Sequence, residues 1–540
     1  MKSTSLLSVK DLNVSISNST ILKKISFELQ KNEILGIVGE SGSGKSITAF
    51  SIISLISSNK LQQKGQIFFN GNRIDSMSER EFQEIRGSQI SMIFQEPMSS
   101  LNPSMKCGNQ VLEIILKHQV LKPKKGLLLV LDLFEKVKLH NPKIIFNKYP
   151  HELSGGQQQR VMIAIAISCS PELLIADEPT TSLDGIVKEE IISLLKQLQK
   201  ETKMSIIFVS HDLNLVSKFA NNIIVLNKGS IIEAGNSKEI FNAPKSPYTQ
   251  MLLSSSLPKK GRPIRLPTIE NKLTKYPLAS KKDRIEKHLK IYNCEPILKI
   301  ENLSFSYNEK LILKGISFNI FKGETLGLIG ESGSGKSTIA KSILNLNNYQ
   351  NGKILYKNID IKKYNNKDFR KSVQLVFQDP FSSLNSEISI GSSIMEPMIA
   401  HEIYKNNKER VSKVYKLLED VGLQKSDFNK YPSQFSGGQR QRIVIARALS
   451  LNPDILICDE SVSALDVSVQ AQVLNLLNTL KERFSFTILF ISHDLSVIKY
   501  MADRVIILNK GIIEELDETD KVFKSPISIY AKQLLKANGY

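Results

Sequence analysis

A glycine-rich octapeptide occurs twice in this chain of 540 residues, as Gly39-Glu40-Ser41-Gly42-Ser43-Gly44-Lys45-Ser46 and as Gly330-Glu331-Ser332-Gly333-Ser334-Gly335-Lys336-Ser337. Each copy follows an apolar run, Ile34-Leu35-Gly36-Ile37-Val38 or Leu326-Gly327-Leu328-Ile329, and opens a helical pattern from Ile47 or Thr338 onward. Strand, glycine loop and helix in that order are the context in which G-x-x-x-x-G-K-[ST] cradles phosphate. The glycines let the backbone curl so that successive N–H groups point at phosphate oxygens, and the helix turns its positive end to the same anion. Lys45 and Lys336 are placed to reach the β- and γ-phosphates, and the Ser46 and Ser337 hydroxyls to hold Mg²⁺. One such stretch could be a structural turn. Two copies in one chain point to two nucleotide sites.

The repeat runs well beyond the loops. Residues 6–50 match 297–341 in pattern and order, and Phe94-Gln95-Glu96-Pro97 answers Phe377-Gln378-Asp379-Pro380, each followed within a few residues by Ser-Ser-Leu-Asn. So long a period means duplicated domains rather than a solenoid. Domains over residues 5–256 and 296–540 are expected, joined by a linker over 257–295 that is rich in Lys, Arg and Pro (Pro258, Pro263, Pro267, Pro277) and weakly periodic. In each half, short β-branched runs alternate with amphipathic helical stretches, which predicts α/β domains with a largely parallel sheet.

Two apolar strands end in paired acids, Leu173-Leu174-Ile175-Ala176-Asp177-Glu178 and Ile455-Leu456-Ile457-Cys458-Asp459-Glu460. Ligands bind at the C-terminal end of a parallel strand, so Asp177 and Asp459 are candidates for the Mg²⁺ shell, and Glu178 and Glu460 for orienting or deprotonating water. Read alone, either run could be an ordinary strand ending in solvated acids. The next strand of each half ends in His211 or His493, able to donate a hydrogen bond to a γ-phosphate. Between the glutamines and the acids lie Ser154-Gly155-Gly156-Gln157 and Ser436-Gly437-Gly438-Gln439. Each is a Ser-Gly-Gly turn opening a helix, and so a second anion-binding end.

The bulk properties set limits. The chain is too long for one ordinary core. It contains no apolar run of membrane-spanning length, and its first residues do not read as a secretory leader, which predicts a cytoplasmic protein. Cys107, Cys169, Cys294 and Cys458 are scattered without C-x-x-C spacing, so neither a zinc site nor a disulfide framework is expected. The net charge of +19 could attract nucleic acid or an anionic membrane. The lysines are dispersed, however, which favours a compositional origin.

Phosphate loop, glutamine, Ser-Gly-Gly-Gln turn, acidic strand, Ser182-Leu183-Asp184 or Ala464-Leu465-Asp466, and histidine occur in one order, twice. That order resembles the ATP-binding cassette (ABC) ATPases over nearly the whole chain outside the linker. The resemblance implies two tandem P-loop NTPase domains, each with a mainly parallel sheet core, a helical subdomain and an N-terminal antiparallel β region. It implies that Gln95 and Gln378 serve both Mg²⁺ and the attacking water, that Thr338 joins the second phosphate site, and that Tyr307 stacks on adenine where the first half has Ile16. In the family two cassettes stack head to tail. Carried over, this intramolecular pseudo-dimer pairs Lys45 with Ser436 and Lys336 with Ser154.

More narrowly, the segments after Gln95 and Gln378 and the late Ser246-Pro247-Tyr248-Thr249 look like the dipeptide, oligopeptide and nickel importer ATPases, including fused glutathione and microcin C types. The resemblance implies ATP and Mg²⁺ as cofactors and hydrolysis coupled to uptake of peptides or a related small solute. It further implies two integral-membrane permease subunits docking on residues 96–105 and 379–388, a solute-binding protein reached through them, and a peripheral position on the cytoplasmic face of the inner membrane. No nucleic-acid partner is expected. The alternative is a ribosome-associated translation factor of the same class, whose basic charge and fused layout are similar. The short, proline-punctuated linker speaks against it, because those factors carry a long charged helical hairpin there. Residues 241–295 hold only Cys294 and residues 523–540 no cysteine, so the iron–sulfur cluster of some relatives is not expected.

Overall fold

The computed structural model describes residues 5–17, 19–56, 61–95, 97–180, 183, 185–255, 261–268, 278–307, 310–377, 379–404, 406–463 and 465–540. Gln378, Ser182, Asp184 and Ala464 therefore lie outside the described residues. The chain divides into two compact units, the first comprising residues 1–183 and 187–256, the second 184–186 and 257–540.

In the first unit a six-stranded sheet runs in the order Ser230–Asn236, Asn222–Asn227, Ile34–Val38, Ser205–Ser210, Leu173–Asp177, Ile90–Ile93. All neighbours pair in parallel except the edge strand Ser230–Asn236. The central strands are apolar throughout because both faces are covered. Leu174, Ala176, Ile206 and Phe208 face one core and Leu173, Ile175, Ile207 and Val209 the other, the alternation of a pleated strand. The second core is closed by a four-stranded antiparallel sheet, Ser19–Leu29, Leu7–Ile16, Leu61–Phe69, Asn72–Arg73. The first is closed by helices Cys107–His118, Pro123–Lys136 and Gly155–Ile167.

The second unit repeats this plan. Its six-stranded sheet is ordered Val373–Val376, Ile455–Asp459, Thr487–Ile491, Thr325–Ile329, Arg504–Asn509, Ile512–Glu518, and its four-stranded antiparallel sheet begins with Lys310–Phe321 and Pro296–Tyr307. The strands carrying the phosphate loop and the acids are thus separated by the one that ends at the histidine, so all three deliver residues to one sheet edge. The stretch expected to be a linker carries a helix, Lys281–Tyr292, capped by Ser280. Among the described residues no helix is long and apolar enough to cross a membrane.

Candidate functional site

Each phosphate loop turns into its helix through a left-handed glycine, Gly44 at φ 104° and Gly335 at φ 109°. A Cβ there would lie 2.4 Å from Leu22 Cδ2 in the first unit and 2.7 Å from Leu313 Cδ2 in the second. Backbone angle and space both therefore demand glycine. Lys45 and Lys336 are buried at the helix start and curl back: their ammonium groups donate to Gly39 O (2.9 Å) and Glu40 O (3.0 Å), and to Gly330 O (2.8 Å) and Glu331 O (3.0 Å). Ser41, Gly42, Ser332 and Gly333 form the exposed rim. The Ser43 and Ser334 hydroxyls lie buried beneath it with no hydrogen-bond partner among the described residues.

The two acids of each strand behave differently. In the first unit Asp177 accepts a hydrogen bond from Ser46 Oγ at 3.1 Å, and Glu178 gathers Lys45 Nζ (3.8 Å), His211 Nδ1 (3.1 Å) and Gln95 Nε2 (3.3 Å). In the second, Ser337 lies beside Asp459 and acts to lower its pKa, and His493 Nδ1 lies 3.2 Å from Glu460. Both glutamates adopt φ +47°, a left-handed conformation unusual for this residue, while their N–H groups bond Val209 O and Ile491 O of the neighbouring strand. The sheet thus fixes the peptide and the left-handed turn swings the carboxylate toward the histidine.

Burial pushes Asp177 up to about 6, against the hydrogen bond from Ser46, and raises Asp459 likewise. For Glu460 burial acts in the same upward sense, but the hydrogen bond with His493 and the charges of His493 and Lys336 outweigh it and hold the carboxyl below the usual range. In the second unit burial thus raises one acid of the pair while the other is held low beside a histidine. Asp459 Oδ1 is buried without a hydrogen-bond partner among the described residues. A hydroxyl beside an underpartnered carboxylate oxygen is the hard-oxygen donor set that suits Mg²⁺.

Ser154 and Ser436 cap their helices in reciprocal boxes: Gln157 N and Gln439 N donate to the serine hydroxyls, and the serine N–H groups to the glutamine side chains at 3.1 and 3.0 Å. The glycines let the helix that follows each acidic loop approach. A Cβ at Gly156 would meet Val187 at 2.8 Å and one at Gly438 would meet Val469 at 2.1 Å. Thr338 is half-buried on the third position of its helix, and Tyr307 and Ile16, at matching strand ends, are exposed by 70% and 39%. The contact of Gln95 with Glu178 was not foreseen; only the position of both at sheet ends hinted at it.

Fold and site together define a P-loop ATPase of the ATP-binding cassette class, present twice in one chain. A model of the ABC transporter family matches residues 22–181 and 313–463, and one of the oligopeptide/dipeptide transporter C-terminal region matches residues 232–281. The glutathione import ATP-binding protein GsiA of Escherichia coli (strain K12) is 39% identical over 98% of this chain and 89% of its own. That of Pectobacterium atrosepticum is 38% identical over 96% of this chain and 86% of its own. A solved cassette from Clostridium perfringens, part of an ABC transporter complex, covers 43% of this chain and 92% of its own at 28% identity and a TM-score of 0.40. The chain belongs to the ABC transporter family. It is an ATP-hydrolysing motor subunit of an ABC importer, with two fused cassettes that bind ATP.

Proposed function

We propose that the chain powers uptake of peptides or a related small solute, through two membrane permease subunits fed by a solute-binding protein, from the cytoplasmic face of the membrane. The observation that carries this reading is the relationship to glutathione import proteins along almost the full chain, together with the oligopeptide/dipeptide transporter match behind the first cassette. The half-exposed Phe94 and Phe377, ahead of residues 96–105 and 379–388, supply apolar surface for the permeases; Glu96 lies outside the described residues.

In this reading the phosphate loops hold ATP, with Lys45 and Lys336 neutralising its phosphates. Ser46 with Asp177, and Ser337 with Asp459, hold Mg²⁺, which offsets phosphate charge when bound. Glu178 and Glu460 accept the proton of the attacking water, and His211 and His493 fix those carboxylates and donate toward the γ-phosphate. Gln95 positions water at Glu178, with Gln378 as its counterpart. Ser154-Gly155-Gly156-Gln157 and Ser436-Gly437-Gly438-Gln439 each complete the opposite cassette's site across a head-to-tail pseudo-dimer. Tyr307 stacks on adenine in the second site, and Ile16 offers apolar contact alone in the first. A ribosome-bound role gains no support from the comparisons.

The test is affinity capture of the Glu178→Gln, Glu460→Gln variant from gently solubilised cells with ATP, followed by mass spectrometry. Two polytopic permease subunits are expected. Ribosomal proteins in their place would overturn the reading.

A further inference from the structure

The second unit contains a cavity of about 630 Å³ outside its nucleotide site, walled by the segment 261–268, the helix Lys281–Tyr292 and the cassette body. Its volume is that of a small-molecule site. Pro263, Ile264, Phe486 and Met501 give it an apolar wall, and Arg262, Arg284, Lys287, Lys322 and Lys481 surround that wall with positive charge.

Three acids line the cavity, Asp283, Glu482 and Asp503, against these five cations. Asp503, the buried one, is already saturated: it lies 2.7 Å from Lys287 Nζ and 3.6 Å from Lys481 Nζ, and accepts the Thr325 N–H at 2.9 Å. Arg262 donates to the carbonyls of Tyr500 (2.9 Å) and Ala502, and no carboxylate of the described residues pairs with it at ion-pair distance. Arg284 spends its terminal nitrogens on Glu518 (3.2 Å) and Asp520, which leaves its buried Nε without a hydrogen-bond partner among the described residues. A half-buried guanidinium that hydrogen-bonds only carbonyls has no directly paired anion to offset its desolvation. Burial, with the like charge of Arg284, accordingly lowers Arg262 to about 10.

We propose that this cavity is a ligand site distinct from the nucleotide sites, taking a small anion with an apolar body. Arg262 and Arg284 hold a carboxylate or phosphate head group, and Pro263, Ile264, Phe486 and Met501 enclose the aliphatic or aromatic frame. The position has a consequence for turnover. The carbonyls that Arg262 holds end the helix Leu495–Met501, which begins just after His493 and is capped by Asp494.

Full-length protein saturated with MgADP, so that both phosphate loops are filled, is titrated with para-fluorobenzoate and separately with para-fluorophenyl phosphate, followed by fluorine NMR. Saturable binding of at least one probe is expected, weakened roughly tenfold or more in Arg284→Gln and in Lys322→Glu with MgADP affinity unchanged. Lys322 lies in an exposed turn, so its reversal keeps the test valid should Arg284→Gln loosen the helix. The probe that binds identifies the head group. Failure of both probes to saturate by about 10 mM, a range in which binding is worth under 3 kcal/mol, or wild-type binding by either variant, would overturn the proposal.

Discussion

The two cassettes agree around their glycine-rich loops and part company behind them. The loop lysines reach their glycine carbonyls at 2.9 and 2.8 Å, the histidines lie 3.1 and 3.2 Å from their glutamates, and both glutamates sit at φ +47°. Away from the site, the first cassette has Gln199, Asn221 and Asn222 where the second has Lys481, Asp503 and Arg504. Asn221 accepts the Ile34 N–H at 2.9 Å, and Asp503 accepts the matching Thr325 N–H at 2.9 Å. The backbone contact is the same, yet only the charged version also binds Lys287 of the preceding helix. The geometry around the phosphate loops is duplicated, while the surrounding charges differ where the helix Lys281–Tyr292 packs on the second cassette.

The largest effect that would test this equivalence is on turnover. Glu178→Gln with Glu460→Gln is expected to lower ATP hydrolysis roughly a thousandfold, since the amide keeps size and hydrogen bonding but cannot take a proton. Steady-state phosphate release measures it, and single variants that differ sharply from one another would break the symmetry of the two sites.

Next in size is Asp503→Asn, which installs the first cassette's residue. It leaves Lys481 buried without its carboxylate and is expected to cost about 3 kcal/mol of stability in chemical denaturation. Adding Lys481→Gln, the other first-cassette residue, should recover most of the loss. The Asp503 carboxyl is held far below its usual range, with burial opposed by His288, Lys481 and Lys287. Its contribution is therefore present above about pH 4 and lost as pH falls through the folded value.

A smaller effect concerns Asp177, whose sign is opposite. Its folded pKa is raised, to about 6, so its stabilising contribution is complete below about pH 4 and lost as pH rises through 6. A metal needs the ionised form, so Mg²⁺ binding in the presence of ADP should be roughly tenfold weaker at pH 5 than at pH 7, as calorimetry would report. An affinity flat across that range would remove Asp177 from the metal site. The smallest effect is at adenine. Tyr307→Ile, which makes the second site resemble the first, should weaken ATP binding there by about 1 kcal/mol, and Ile16→Tyr should strengthen the first by a similar amount.

Most of the site was legible in the sequence because phosphate chemistry needs fixed spacings on fixed elements. An apolar run announces a buried parallel strand, and the acids or histidine at its end can only emerge at the ligand edge. The helix Lys281–Tyr292 was not legible. Ile285 and Leu289 stay exposed on it and Ile291 is its one buried residue, so it presents no apolar stripe. Arg284, Lys287 and His288 hold it instead, through Asp503, Glu518 and Asp520, and a face made of charged residues does not read as an apolar stripe. Nor could residue type disclose the left-handed turn at Glu178 and Glu460, because glutamate, unlike glycine or asparagine, does not advertise that conformation.

That turn sets activity against robustness. A side chain held at φ +47° costs about 1–2 kcal/mol relative to a relaxed backbone, and this chain carries the strain at both glutamates. Glycine at either position would relax the backbone and remove the carboxylate in one step. With these glutamates in the proposed role of bases, selection for heat tolerance alone would drift toward inert cassettes, and a thermostabilised version of this ATPase would have to gain its stability at sites other than these two.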